Sequence, residues 1–355
     1  MTQSLVGKIV LAPFTALYGL MITIRNVLYD TELVKSTVFS LPVISVGNLS
    51  VGGAGKTPHI EYLIRLLSPY IDLGTLSRGY KRTTKGFKWV LPKENVLLNG
   101  DEPLMYARKY RGIVVAVGES RSLAIPQMVG KYNNLQAILL DDAFQHRAIT
   151  PGLSILLTTY DEPFTRDYML PSGRLREWRS SYSRADIIIV SKCPPDISEK
   201  EKRDLTAEIK PLHHQRIFFS YYQYRHPYSF YNSKQRIKLD DKLDVILISA
   251  IANTKYLLDY LYSEVETVHH MDYEDHHIFT ERDIEYINTV YENRDTTRKI
   301  ILTTEKDAMR LDLHREAITK KNLPIFVLPA EVAFHFDEQK DFDTAIKDFL
   351  LQFKI

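Results

Sequence analysis

The stretch Ser45-Val-Gly-Asn-Leu-Ser-Val-Gly-Gly-Ala-Gly-Lys-Thr-Pro58 constrains the fold more than any other part of this chain. Gly55-Lys56-Thr57 ends like a phosphate-binding loop, G-x-x-x-x-G-K-[ST]. An apolar, β-prone run precedes it, and helical spacing of Ile60, Leu63, Ile64 and Leu67 follows. Strand, glycine turn and helix is the context in which backbone amides curl round a polyphosphate at a helix N-terminus. The pattern departs at its first position, where Ser50 replaces the usual glycine. That change alters the entry of the loop but removes no phosphate-binding group. Ser50, Val51, Gly52, Gly53, Ala54, Gly55, Lys56 and Thr57 are therefore expected to bind a nucleotide, with Lys56 on the β/γ-phosphates and the Thr57 hydroxyl on Mg²⁺. The competing reading is a glycine turn with a purely structural role.

A site of this kind needs a carboxylate at the end of a neighbouring apolar strand, close to the metal. Ala137-Ile-Leu-Leu-Asp-Asp142 ends in two. Together the loop and the acids favour the nucleotide site, with Asp141 and Asp142 as candidate Mg²⁺ residues.

Runs rich in Val, Ile and Leu recur at 42–46, 73–77, 113–117, 137–141, 154–157 and 186–191, alternating with helical patterns. This predicts an α/β fold with a mostly parallel sheet covered on both faces. A second set of strands begins at 245–249 and recurs at 299–303. The aromatic stretch 216–231 and the run 324–329 read as two strands linking the domains. The expected division is a membrane-associating helix at 1–30, a P-loop domain at 31–222, a smaller α/β domain with linker strands at 223–330, and a C-terminal helix at 331–355.

Residues 9–24 carry no charge and lie between Lys8 and Arg25. A helix of that length spans roughly 24 Å against a hydrocarbon core of about 30 Å, marginal for crossing. No small-residue cleavage site follows, so a signal peptide is disfavoured. A helix on a membrane surface and a buried core helix remain. The one cysteine, Cys193, excludes an internal disulfide framework, and a net charge of +2 argues against a dedicated nucleic-acid binder. No obligate protein partner is evident. Arg78, Lys81, Arg82, Lys85 and Lys88 form one basic cluster, and Arg174, Arg176 and Arg179 flank Leu175 and Trp178 in another. Cations beside an interfacial Trp suit a phosphorylated lipid, with Arg78, Arg174 and Arg176 as candidate contacts, although such runs also serve as solvated faces. None of the three His-His pairs has zinc-ligand spacing.

Several motifs carry a resemblance: SVGNLSVGGAGKTP, LSRGY at 76–80, GDEP at 100–103, LLDDAFQHR at 139–147, LPSGRLRE at 170–177, IAN at 251–253, DHH at 275–277 and TTEKDA at 303–308. In this order they resemble the tetraacyldisaccharide 4′-kinases of lipid A synthesis, in which Ser or Thr replaces the first loop glycine. The resemblance implies transfer of a phosphoryl group from ATP to the 4′-hydroxyl of an acylated glucosamine disaccharide 1-phosphate, yielding lipid IVA. It places the enzyme at the cytoplasmic face of a bacterial inner membrane. A sugar hydroxyl needs a base as it attacks, and the resemblance assigns this to Asp101 paired with His276. Glu102 is a further candidate Mg²⁺ residue, and Arg121, after the Gly118-Glu-Ser turn, a candidate cation for the transferring group. Lys306 and Asp307 are candidates for closing the nucleotide cleft. Three rivals compete: a P-loop enzyme with a soluble substrate or a maturation role, a DHH-type phosphoesterase, and a non-enzymatic membrane adaptor.

Overall fold

The computed structural model describes residues 5–353. The strands in chain order are β1 (Val43–Asn48), β2 (Leu73–Ser77), β3 (Lys88–Trp89), β4 (Val114–Val117), β5 (Ala137–Asp141), β6 (Leu153–Thr159), β7 (Ile187–Ser191) and β8 (Arg216–Tyr224). They continue with β9 (Tyr228–Ser229), β10 (Asp244–Ser249), β11 (Thr267–Asp272), β12 (Lys299–Thr304), β13 (Ile325–Leu328) and β14 (Ala330–Phe334). Among the described residues they form a nine-stranded sheet, β14-β8-β7-β6-β1-β5-β2-β4-β3, and a five-stranded sheet, β11-β10-β12-β13-β9. Both are parallel except at their edges, where β3, β9 and β14 run antiparallel. The expected α/β architecture is present. Every residue of β1, β5 and β7 is buried, as strands covered on both faces require.

The linker differs from its expected form. Residues 216–231 make two strands broken at His226-Pro227, because proline cannot donate to a ladder. β8 is a full member of the large sheet, parallel to β7, and β9 lies at the edge of the small one. Residues 324–329 likewise hold β13, inside the small sheet. The partner of β8 is β14, which follows after Pro329 alone. The C-terminal segment is thus strand and then helix (Gln339–Gln352), and its Val332, Phe334, Phe342 and Ile346 complete the core of the large-sheet lobe.

The N-terminal helix runs from Leu5 to Asp30, 26 residues, or about 39 Å. It outlasts the apolar run because Asn26 to Asp30 continue the same winding. By length and composition alone it suffices to cross a membrane. The Lys8 side chain lies outside the described residues. The buried-core reading does not hold: Ile9, Phe14 and Met21 are 64%, 62% and 61% exposed. Only a narrow stripe docks on the body. Thr15 Oγ1 meets Ser172 Oγ at 2.6 Å, the Tyr18 hydroxyl donates to the Arg176 carbonyl at 3.0 Å, and Arg25 pairs with the buried Glu177. At Gly19 the helix touches the Trp178 indole, and a Cβ there would come within 2.5 Å of the ring.

Candidate active site

The two sheets face each other across a cleft of about 490 Å³, lined from one side by residues 50–58 and from the other by Ala250, His276 and Lys306. β1 delivers the chain into the loop, and the helix Lys56–Leu67 begins where the loop ends. Ser50 pairs antiparallel with Leu175, and the Val51 amide donates to the Arg174 carbonyl at 2.7 Å. This entry is extended backbone, which any residue adopts, so no glycine is required at position 50. Gly55 is different. Its φ of 86° is left-handed, and a Cβ there would overlap Tyr222 Oη. Lys56 Nζ lies 3.0 Å from Asn48 Oδ1 and 3.4 Å from Asp142 Oδ1, so it is held at the mouth of the loop.

The acids occupy distinct environments. Asp141, at the end of β5, accepts from the Tyr106 hydroxyl at 2.9 Å through Oδ2, while its buried Oδ1 has no partner. Burial, together with the nearby Glu102, pushes its pKa up to about 7. Burial acts on Asp142 too, but Lys56 and Arg176 outweigh it and hold that carboxyl well below the usual range. Glu102 accepts from Thr57 Oγ1 at 2.7 Å and pairs with Lys306, which overcomes burial and keeps it ionised.

Asp101 opens the helix Asp101–Lys109, and His276 sits in the loop after β11 with a left-handed φ of 57°. His276 Nδ1 is 2.8 Å from Asp101 Oδ2, and Arg310 Nη1 is 3.3 Å from the same oxygen. Burial raises the Asp101 pKa, but the His276 bond and charge, with Arg310 and Lys306, more than reverse it. Asp101 is thus a buried anion held between the His276 imidazole and the Arg310 guanidinium of the other lobe. A ring whose Nδ1 donates to a carboxylate has Nε2 free to accept a proton.

Comparison with known proteins decides the family. Residues 7–351 match the family described as Tetraacyldisaccharide-1-P 4'-kinase (LpxK). This chain belongs to that family. The tetraacyldisaccharide 4'-kinase of Flavobacterium johnsoniae is 42% identical over 346 residues, covering 96% of each chain. That of Bacteroides thetaiotaomicron is 37% identical over 349 residues, covering 95% of this chain and 91% of the relative. A solved structure, "apo" form LpxK from Aquifex aeolicus in complex with ATP, has a TM-score of 0.72 at 26% identity, covering 97% of this chain and 99% of that one. The resemblance carried by the motifs therefore holds over nearly the whole chain. The phosphoesterase and adaptor readings fall with it, as does the soluble-substrate alternative.

Within this 4′-kinase the remaining candidates separate. Arg176 joins the cleft: its Nη2 is 2.9 Å from Asp142 Oδ1 and 2.8 Å from the Asn48 carbonyl. Arg78 is exposed at the cleft wall. Arg174 faces a side lobe and pairs with Glu162 and Asp167. Arg121 is buried beneath the β5 end, where it donates to the carbonyls of Asp142 and Glu119 at 3.3 Å, and it does not line the cleft. Asp307 is buried against Arg310 and away from the cleft wall. Arg310 and Lys192 were not among the sequence candidates. Lys192 follows the last residue of a fully buried parallel strand, the sheet end where α/β ligands bind, which is a usable signal. Arg310 had only its i,i+3 spacing from Asp307.

Proposed function

We infer that this protein transfers the γ-phosphoryl group of ATP to the 4′-hydroxyl of a tetraacylated glucosamine disaccharide 1-phosphate, giving lipid IVA. Family membership supports the reaction. The observation that carries the mechanism is the 2.8 Å bond between Asp101 and His276, formed across the same cleft that the phosphate loop lines.

The residues divide the work. Backbone amides of 52–57 and the Lys56 ammonium bind the polyphosphate at the start of the helix. The attacking 4′-hydroxyl gives its proton to His276 Nε2 as the bond to the γ-phosphorus forms and the bond to the β,γ-bridging oxygen breaks. Asp101 stabilises the resulting imidazolium and fixes the ring. Arg310 keeps Asp101 ionised and acts through it, as a positioning residue.

The donors also suit Mg²⁺. Asp141 Oδ1 is a buried carboxylate oxygen without a partner, and Thr57 Oγ1 and Glu102 lie at the same mouth. Among the described residues no dedicated cage of three or more His, Cys, Asp or Glu side chains exists. Mg²⁺ rarely needs one, since it takes one or two carboxylates plus phosphates and water. We assign Thr57, Asp141 and Asp142 to it, with Glu102 through water. When bound, the ion neutralises charge on the β- and γ-phosphates.

The exposed face of the helix Leu5–Asp30 suits a membrane surface. Because ATP is supplied in the cytoplasm, we place the enzyme on the cytoplasmic face of the inner membrane, taking its lipid from that leaflet with Arg78 and Arg176 toward the substrate phosphate. The test is incubation of the purified protein with ATP radiolabelled at the γ-phosphate, Mg²⁺ and the disaccharide 1-phosphate in mixed micelles. Label should enter the glycolipid, and its absence from the lipid of a folded, ATP-binding preparation would refute the assignment.

A further inference from the structure

One cation in the cleft has no task in the mechanism above. Lys192 follows β7, lines both the main cleft and its side lobe, and places Nζ 3.7 Å from where a Cβ on Gly53 would sit. Its ammonium has no hydrogen-bond or ion-pair partner among the described residues. The backbone is bent to hold it there. Lys192 has a φ of 57°, a left-handed conformation that residues with a Cβ resist. The flanking residues tie that bend to the loop: Ser191 Oγ lies 2.8 Å from the Ala54 carbonyl, and the Cys193 amide donates to Ser220 at 3.0 Å.

The surrounding charges leave this ammonium unsatisfied. Lys306 repels it from across the cleft, while Asp161 and Glu162 attract it from the segment after β6. Both of those acids are engaged elsewhere, Asp161 by Lys255 at 3.6 Å and Glu162 by Arg174. Tyr222 and Tyr256 line the same cleft without charge, while Arg174 and Lys255 line its side lobe. Burial first, then Lys306, brings the Lys192 pKa down to about 8. A half-buried cation without a counter-ion is unfavourable unless an anion is brought to it.

We propose that Lys192 is a second phosphate-binding cation of this site, gripping the polyphosphate of the nucleotide from the β7 side of the loop while Lys56 holds it from the β5 side. The proposal rests on the assignment of ATP to this cleft. An anion at Lys192 favours its protonated form, so binding draws in a proton wherever the free lysine is partly neutral.

The test is calorimetric binding of the β,γ-imido analogue of ATP with Mg²⁺ to the full-length protein in detergent micelles. Lys192→Met, Lys192→Arg and Lys56→Ala are compared with wild type. Lys192→Met should bind roughly 10- to 100-fold more weakly, the range for a lost charge-assisted hydrogen bond. Lys192→Arg should keep most of the affinity. Between pH 7 and pH 9 wild-type affinity should fall about tenfold as the free ammonium titrates, and the slope should vanish in both variants. At pH 8.5, titrations in two buffers of different ionisation enthalpy should show proton uptake by wild type. Wild-type affinity in a folded Lys192→Met overturns the proposal, and so does binding without proton uptake, a measurement that needs no variant. If Lys56→Ala loses binding while Lys192→Met does not, the ATP site stands and Lys192 has no part in it. If wild type itself fails to bind, the ATP reading fails and this proposal with it.

Discussion

His276 Nδ1 and Asp101 Oδ2 are 2.8 Å apart, although 175 positions separate them in the chain and each comes from a different lobe. The helix Asp101–Lys109 packs against the helix Glu305–Leu311 of the other lobe. Arg108 bonds Asp312 at 2.8 Å, and Lys109 bonds Glu305 at 2.8 Å. Arg310, from the same small-lobe helix, lies against the Asp101 oxygen that His276 uses. The proposed Asp101–His276 proton acceptor therefore draws its two members from different lobes.

Two residues that act as one unit lose their function together. Asp101→Ala and His276→Ala should each lower kcat by roughly 10²- to 10⁴-fold, the range for positioned acid–base catalysis. The double variant should be little slower than the slower single one. Nucleotide binding should survive in all three, because Lys56 and the loop amides are untouched. Effects that multiply in the double variant would separate Asp101 from His276 and refute their action as one unit.

The loop yields a steric prediction. Gly55→Ala adds a methyl that overlaps Tyr222 Oη, at a φ of 86° that alanine resists. It should destabilise the fold by on the order of 1–3 kcal/mol and abolish nucleotide binding. Adding Tyr222→Phe removes the overlapping atom, so the double variant should regain part of the lost melting temperature but not all, since the φ strain persists. Ser50→Gly should be mild, because position 50 is extended. If Tyr222→Phe restores nothing, the overlap is not what excludes a side chain.

Local chemistry was legible in the sequence; long-range pairing was not. The phosphate loop, the β5 acids and the buried parallel strands follow from residue types within a dozen positions of one another. The Asp101–His276 contact came from family resemblance, since no local pattern reports a meeting of two lobes. The linker was misjudged because β8 reads as an isolated aromatic strand, and its ladder partner β14 is fixed only by the chain's return at Pro329. Arg121 follows a strand as a site cation would, yet its side chain turns under the sheet to bond carbonyls. A linear pattern gives position along an element, not which way a long side chain is drawn by distant acceptors.

The lobe interface has a pH dependence of known sign. Lys109 sits between Glu61 at 2.7 Å and Glu305 at 2.8 Å, so one cation serves two carboxylates. Burial, then repulsion from Glu61, raises the Glu305 pKa to about 7. An acid whose folded pKa is raised binds its proton more tightly in the folded state. Stability is therefore lost as pH climbs from about 4.5 to 7, and the loss is constant above. Glutamine mimics the protonated form. Glu305→Gln should match wild type near pH 4 and exceed it at pH 8 by up to about 3 kcal/mol in thermal or denaturant unfolding. A variant less stable than wild type at pH 8 would mean that the Lys109 pairing outweighs the repulsion.

The N-terminal helix offers a way to separate anchoring from chemistry. Its docked stripe of Thr15, Tyr18, Gly19 and Arg25 meets Ser172, Arg176, Trp178 and Glu177, and Arg176 itself reaches Asp142. Deleting the helix would leave Glu177 buried with Arg184 as its remaining ion-pair partner and uncover Trp178, so a deletion confuses anchoring with damage to the site. Substitutions at exposed positions of the helix avoid this. Leu17 and Met21 are 59% and 61% exposed, outside the docked stripe. Leu17→Asp with Met21→Asp should leave melting temperature and nucleotide binding unchanged. It should reduce co-sedimentation with vesicles and raise the KM for lipid while sparing kcat, because each charge opposes burial of these positions in lipid by several kcal/mol at most. A helix that serves only to brace residues 172–178 predicts the opposite pattern. Vesicle binding and KM would then be those of wild type in Leu17→Asp/Met21→Asp, and only changes to the docked stripe, such as Gly19→Leu against Trp178, would impair the enzyme.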